Sequence, residues 1–179
     1  MERPIYKVII LLIVILSSFC SHAQMKHGQY SIGYSGGYGF VTEQGILRTD
    51  FRYNLIDYIR IEPTVSHFLK KNGLKTWNIG LNVHYVLSIK EVAAIYPLVG
   101  VTSSFWNLDR NKTIVDEVTG EKTTERQKSK DTYLGGMFGL GLEVYILDEI
   151  ILGTEVKYNA LEKRDQLLVG VRVAYNFIY

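Results

Sequence analysis

Glu143 and Glu155 are the residues of this chain whose types most invite a chemical reading. Two carboxylates held a short distance apart can divide the acid and nucleophile roles of glycoside hydrolysis. A turn symmetric about Glu149 sets them opposite one another on consecutive segments. The same alignment places Lys157 beside Glu155, and a symmetric Leu161–Gln166 loop brings Arg172 close as well. Across a turn at Asp57, Arg52 falls opposite Glu62 and Asn54 opposite Arg60. Arg52, Arg60, Glu62, Glu143, Glu155, Lys157 and Arg172 therefore form one expected ladder of opposite charges. Buried carboxylates need such cations simply to be tolerated, and losing one partner strands the other.

The remaining candidates offer less. Ser66 and His67 are adjacent, and neighbours on a strand point to opposite faces, so they cannot share a proton. His84 lies among Asn78 and Asn82 with no second His or Cys at ligand spacing, which suits a hydrogen-bonding role. Asn111-Lys112-Thr113 fits a glycosylation sequon, a short pattern that chance supplies readily. No catalytic residue, metal ligand or cofactor is expected.

The elements that must position these side chains repeat every two residues, and no long segment has a 3.6-residue apolar period. The clearest, Leu74 to Ser88, sets Trp77, Ile79, Leu81, Val83, Tyr85 and Leu87 against Asn78, Gly80, Asn82 and His84. Similar alternation predicts strands over Gln29–Val41, Ile46–Ile56, Tyr58–Lys70, Thr132–Ile146 and Ile151–Ala160. The last strand sets Val171, Val173, Tyr175, Phe177 and Tyr179 against Gly170, Arg172, Ala174 and Asn176. A strand over Val92–Trp106 is apolar on both sides, so its faces stay unassigned.

One face apolar throughout, with charges and small residues opposite, suits a wall with lipid outside and packed side chains inside. The pattern predicts an all-β fold, an eight-stranded antiparallel up-and-down transmembrane β-barrel. Its interior has room only for side chains, so no sugar reaches the glutamate pair. An even strand number puts both termini on the periplasmic side. Short turns then fall near Asp57, Lys90-Glu91 and Asp148-Glu149. Opposite them lie Thr42–Gly45, Lys70–Gly73, Leu161–Gln166 and the one long connection, Leu108–Lys130, where extracellular loops belong. Val118-Thr119-Gly120-Glu121 reads as a turn, so the strands flanking it can project as a hairpin. Trp77 and Tyr85 stand roughly 20 Å apart along the barrel at ordinary rise and tilt. They are expected to mark the two borders of the apolar band, with Tyr175, Phe177 and Tyr179 as further interface aromatics.

The N-terminus agrees with export. Arg3 and Lys7 precede an apolar run from Val8 to Leu16, and Ser21-His22-Ala23 is a small-x-small cleavage site, so residues 1–23 read as a signal peptide and 24–179 as the barrel. Cys20 is the single cysteine and leaves with that segment, so no disulfide is expected. Removing it also takes away Arg3, Lys7 and Glu2, leaving a net charge near +1 that argues against a nucleic-acid partner.

Export signal, alternating strands, small inward residues and an aromatic end together resemble the small OmpA/OmpX-type outer-membrane barrels. The Ala23-Gln24 junction, Ile95-Tyr96-Pro97-Leu98-Val99-Gly100 and Gly139-Leu140-Gly141-Leu142-Glu143 more narrowly resemble the outer-membrane β-barrel proteins of Bacteroidetes, a group with PorT-like members. The chain departs from the usual assembly signal in ending on Tyr179 instead of Phe. The resemblance implies a bacterial outer-membrane location and leaves activity open. The expected role is structural or surface-interacting, with outer-membrane lipid around the wall and a ligand or protein partner at the loops, mainly 108–130. The alternatives are an accessory subunit of a secretion or assembly machine, a lipid-modifying enzyme and a small pore.

Overall fold

The computed structural model describes residues 27–71, 73–89, 92–115, 122–162 and 165–177. The signal segment, the Lys90-Glu91 turn, Val118–Glu121 and Tyr179 lie outside them. Nine strand segments follow in order: β1 Tyr30–Gly39, β2 Gln44–Ile56, β3 Ile59–Lys71, β4 Leu74–Tyr85, β5 Leu87–Ile89, β6 Ala93–Val115, β7 Lys122–Tyr145, β8 Ile150–Leu161 and β9 Gln166–Phe177. No helix occurs among the described residues.

Every neighbouring pair is antiparallel, and the sheet closes on itself because β1 pairs with both β2 and β9. Tyr30, for example, sits opposite Tyr53 on one side and Phe177 on the other. The strand expected over Leu74–Ser88 is divided in two at Val86, whose side chain is buried and whose N–H bonds the carbonyl of Tyr58 in continuation of the β3–β4 register. β4 and β5 both pair with β6, so together they make one wall strand, and the barrel has eight. Closure leaves no free backbone edge around the wall, which a chain crossing hydrocarbon requires.

The face assignments follow the alternation. Ser31, Asp50, Arg52, Arg60, Glu62, Asn82, His84, Glu143, Glu155 and Arg172 are buried within, while Tyr34, Leu47, Ile79, Leu140 and Val171 are exposed on the outer wall. The undecided strand resolves too. Ala94, Tyr96 and Leu98 turn inward and Ile95, Val99 and Val101 outward. It looked apolar on both sides because Val86, Ala94, Tyr96, Leu98 and Met137 form a small apolar cluster inside the lumen. Pro63 and Pro97 sit in the fifth positions of β3 and β6, close to the short-turn end.

β6 and β7 are 23 and 24 residues long, against 10 to 13 for β1 to β4, β8 and β9. β4 stops pairing with β6 at Leu74–Leu108, and β8 stops pairing with β7 at Leu161–Gly135. Beyond those points β6 and β7 pair only with each other, as far as Val115–Lys122. The segment expected as a long loop is thus mostly a two-stranded ribbon. From Leu108 to Val115 it rises about 23 Å at ordinary strand spacing.

Candidate functional site

The lumen is assembled from neighbouring inward positions. β2 contributes Arg48, Asp50 and Arg52; β3 contributes Arg60 and Glu62; β7 adds Glu143; β8 adds Glu155 and Lys157; β9 adds Arg172. Arg52 is the hub. Its guanidinium donates to Glu62 at 2.5 Å and Glu143 at 2.9 Å, also pairs with Glu155, and reaches the Tyr96 hydroxyl at 3.0 Å. Arg60 holds the other side of Glu143 at 2.8 Å. Lys157 bridges Glu62 and Glu155 at 3.0 Å each, and Arg48 also pairs with Glu155. Arg172 grips Asp50 at 2.6 Å.

Neutral groups complete the set. The Asn82 amide donates to Glu62 at 2.9 Å, the Tyr96 hydroxyl to Glu155 at 2.7 Å and the Tyr145 hydroxyl to Glu143 at 2.8 Å. His84 stacks on Tyr96 with ring centroids 4.8 Å apart, and Arg60 lies 4.7 Å from the centre of the Tyr96 ring. Burying these charges is tolerable only because each carboxylate has a cation and several have further donors. Small residues make the space. A methyl group added at Gly141 would collide with the Tyr96 ring, and one at Gly33 would come 2.5 Å from the Arg172 guanidinium.

The seven residues expected in the ladder all lie buried in this lumen, but two of the pairings differ. Glu143 is opposite Gly153, and Glu155 is opposite Gly141, because the turn is centred on Asp148 and not on Glu149. The glutamates are joined through Arg52 instead of facing each other. Arg172 likewise lies opposite Gly153 and reaches Asp50, with no salt bridge to Glu155. The expected alignments of Arg52 with Glu62 and Asn54 with Arg60 hold in the β2–β3 register. Arg48 and Asp50 share the parity of Arg52 and could have been added from sequence. Tyr145 likewise shares the parity of Glu143, whereas Tyr96 carries no such signal, since an inward tyrosine on an apolar strand looks like a lipid-facing one.

A small cavity of about 40 Å³ adjoins this network beside Arg48, Ser66, Glu155 and Lys157. That is room for a water or two. Among the described residues no His, Cys, Asp and Glu cluster is arranged to hold a metal.

Outside, aromatics gather at both ends of the wall. Toward the short turns, Tyr30 stacks on Phe177 at 4.7 Å, Tyr175 meets Phe177 at 5.0 Å and Tyr58 meets Tyr85 at 5.8 Å. Toward the long hairpin, His67 packs on Trp77 at 4.5 Å and Tyr38 on Phe40 at 5.4 Å. Trp77 and Tyr85 therefore lie at opposite ends of β4. Beyond the wall, Arg126 makes a two-pronged pair with Asp109 at 2.9 and 2.7 Å across the ribbon, which holds the Asp109 carboxyl below its ordinary range. The hydrogen bond from Lys71 does the same for Glu43, at 2.7 Å.

The model of the outer membrane protein β-barrel domain matches residues 13–177. None of the curated proteins matches the chain in sequence. Among solved structures, the N-terminal β-barrel domain of Pseudomonas aeruginosa OprF is similar at TM-score 0.63 and 14% identity, covering 86% of this chain and 100% of that one. Neisserial surface protein A is similar at TM-score 0.54 and 12% identity, over 83% and 95% of the two chains. The attachment invasion locus protein Ail of Yersinia pestis, in complex with the heparin analogue sucrose octasulfate, is similar at TM-score 0.53 and 14% identity, over 84% and 99%.

Proposed function

The chain belongs to the outer membrane protein β-barrel family, and from that premise we propose that it is a surface-interaction barrel whose binding element is the β6–β7 ribbon. It is an integral β-barrel of the bacterial outer membrane. The proposal puts both termini and the short turns in the periplasm and the ribbon outside the cell. One observation carries it. β6 continues for seven residues and β7 for thirteen beyond the points where their wall neighbours stop, and a paired ribbon of that length serves no need of the wall. Elements that stand off a rigid scaffold are where such proteins meet partners.

The lumen supports a role without conduction or catalysis. Arg52, Glu62, Glu143, Glu155 and Lys157 fill its cross-section and are matched to one another, so the barrel acts as a scaffold. The complex of Ail with a sulfated sugar analogue is a precedent for ligand binding by a barrel of this fold.

The test is trypsin treatment of intact cells, with the purified barrel assayed in planar bilayers. Cleavage within the ribbon at Arg110, Arg126, Lys128 or Lys130 and no stepwise conductance are expected. Cleavage confined to the short turn at Lys90 would reverse the orientation, and steady channels would replace the scaffold reading with a pore. Crosslinked capture of defined secretion components from native membranes would point to the accessory-subunit role.

A further inference from the structure

Where the ribbon leaves the wall, the outer surface carries an ordered set of side chains across β4, β6 and β7. Lys75 is directly opposite Asn107, which is directly opposite Lys130. All three alternate outward and are exposed. The next row toward the membrane is Trp77, Phe105 and Thr132, in the same register. Below that come Ile79 and Leu134, exposed apolar residues of the wall. A shallow groove of about 330 Å³ runs along the two upper rows.

The ordering matches a depth profile. Aromatic rings settle at headgroup level, so Trp77 and Phe105 mark the border and the lysines stand just above it. Two strand spacings separate Lys75 from Lys130, about 10 Å, and each side chain is long enough to close on one anion between them. Asn107 supplies a further donor at the centre. Among the described residues neither lysine has a salt bridge: Asp109 is paired with Arg126, and Asp131, which also lines the groove, accepts from Ser129 at 2.8 Å. The feature is local. On β1, β2, β8 and β9, outward positions toward the same end are Tyr38, Leu47, Tyr158 and Leu167.

We propose that this groove binds the phosphorylated headgroup of an outer-leaflet glycolipid, with Lys75, Asn107 and Lys130 on the phosphate and Trp77 and Phe105 against the top of its acyl chains. The occupant is a lipid and not free phosphate because the cations sit directly on an aromatic row and an apolar wall. The outer-leaflet assignment rests on the orientation proposed above; the site itself does not.

Purified barrel in detergent micelles should be titrated by native mass spectrometry with a bis-phosphorylated diglucosamine glycolipid, and with the same lipid after phosphatase treatment. The wild type should prefer the phosphorylated form. Lys75→Gln/Lys130→Gln should weaken binding roughly twentyfold, at about one surface-lysine contribution each. Lys71→Gln, whose lysine is paired with Glu43, should change it little. Millimolar inorganic phosphate should not displace the lipid. Equal binding of both lipid forms, or an unchanged double variant that still shows a compact unboiled band on gels, overturns the site. Binding that holds while the ribbon is protected from trypsin on intact cells overturns only the outer-leaflet assignment.

Discussion

Arg172 on β9 reaches across β1 to Asp50 on β2, with Nη2–Oδ2 at 2.6 Å and Nε–Oδ2 at 2.9 Å. The path is open because β1 has Gly33 directly opposite Asp50, and a side chain at Gly33 would run into the guanidinium. The pair therefore spans the seam where the first and last strands meet.

Asp50→Ala is expected to cost about 3–5 kcal/mol, because it leaves Arg172 charged and alone in the lumen. Gly33→Val should destabilise by displacing the same guanidinium. Replacing both charges, as Asp50→Leu with Arg172→Met, should cost less than Asp50→Ala. Urea unfolding in detergent or vesicles reads all three. Additive losses in the double variant would show that the two side chains act independently.

Arg52→Met should be the most damaging single substitution in the lumen, since it strips a partner from Glu62, Glu143 and Glu155 together. Tyr96→Phe removes one hydroxyl from Glu155 and should cost about 1–3 kcal/mol. An Arg52 variant no weaker than the Tyr96 variant in the same unfolding assay would remove Arg52 from the centre of the network.

These partners were only partly legible in the sequence. Parity alone separates Arg52, Glu62 and Arg172 from Phe51, Ile61 and Val171, because a strand cannot send consecutive side chains to one face. Register across a turn is harder. Moving the turn centre by one residue moves every pairing by two, and for that reason Glu143 meets Gly153 and not Glu155. Arg172 shows a second limit, since a long side chain passing over a glycine finds its partner two strands away. The ribbon was legible as a turn between polar strands, but its length was not, because pairing beyond the wall needs no apolar face.

A closed barrel leaves no backbone edge for detergent to attack. Unboiled protein in SDS gels should therefore migrate differently from boiled protein. Identical mobility in both lanes would count against closure between β1 and β9.

Deleting residues 111–128 should leave that gel shift intact. Leu108 and Ser129 are already paired, so Asp109 and Arg110 remain as a two-residue hairpin turn. Loop entropy varies slowly with length, and the change in stability should stay under about 1 kcal/mol. Loss of the compact band on deletion would mean that the ribbon supports the wall.

The ribbon should be acid-sensitive where the wall is not. Arg126 lowers the pKa of Asp109, so this pair contributes stability above the unfolded carboxyl value of about 3.9 and loses it as pH falls through the lower folded value. Pepsin digestion over a falling pH series, corrected for enzyme activity, should show the ribbon opening below about pH 4. Asp109→Asn should make the opening independent of pH in that range.

The lumen charges also constrain the order of assembly. Arg52 precedes Glu143 and Glu155 by 91 and 103 positions, and Asp50 precedes Arg172 by 122. A sheet holding only β1 to β4 would have to carry Arg48, Arg52 and Arg60 with a single local carboxylate at each level, Asp50 or Glu62, and an open edge besides. Entering hydrocarbon in that state costs both unmatched charge and unpaired backbone. Spontaneous entry of that partial sheet is therefore unfavourable, and the charges of the lumen are matched only when strands from opposite ends of the sequence have met.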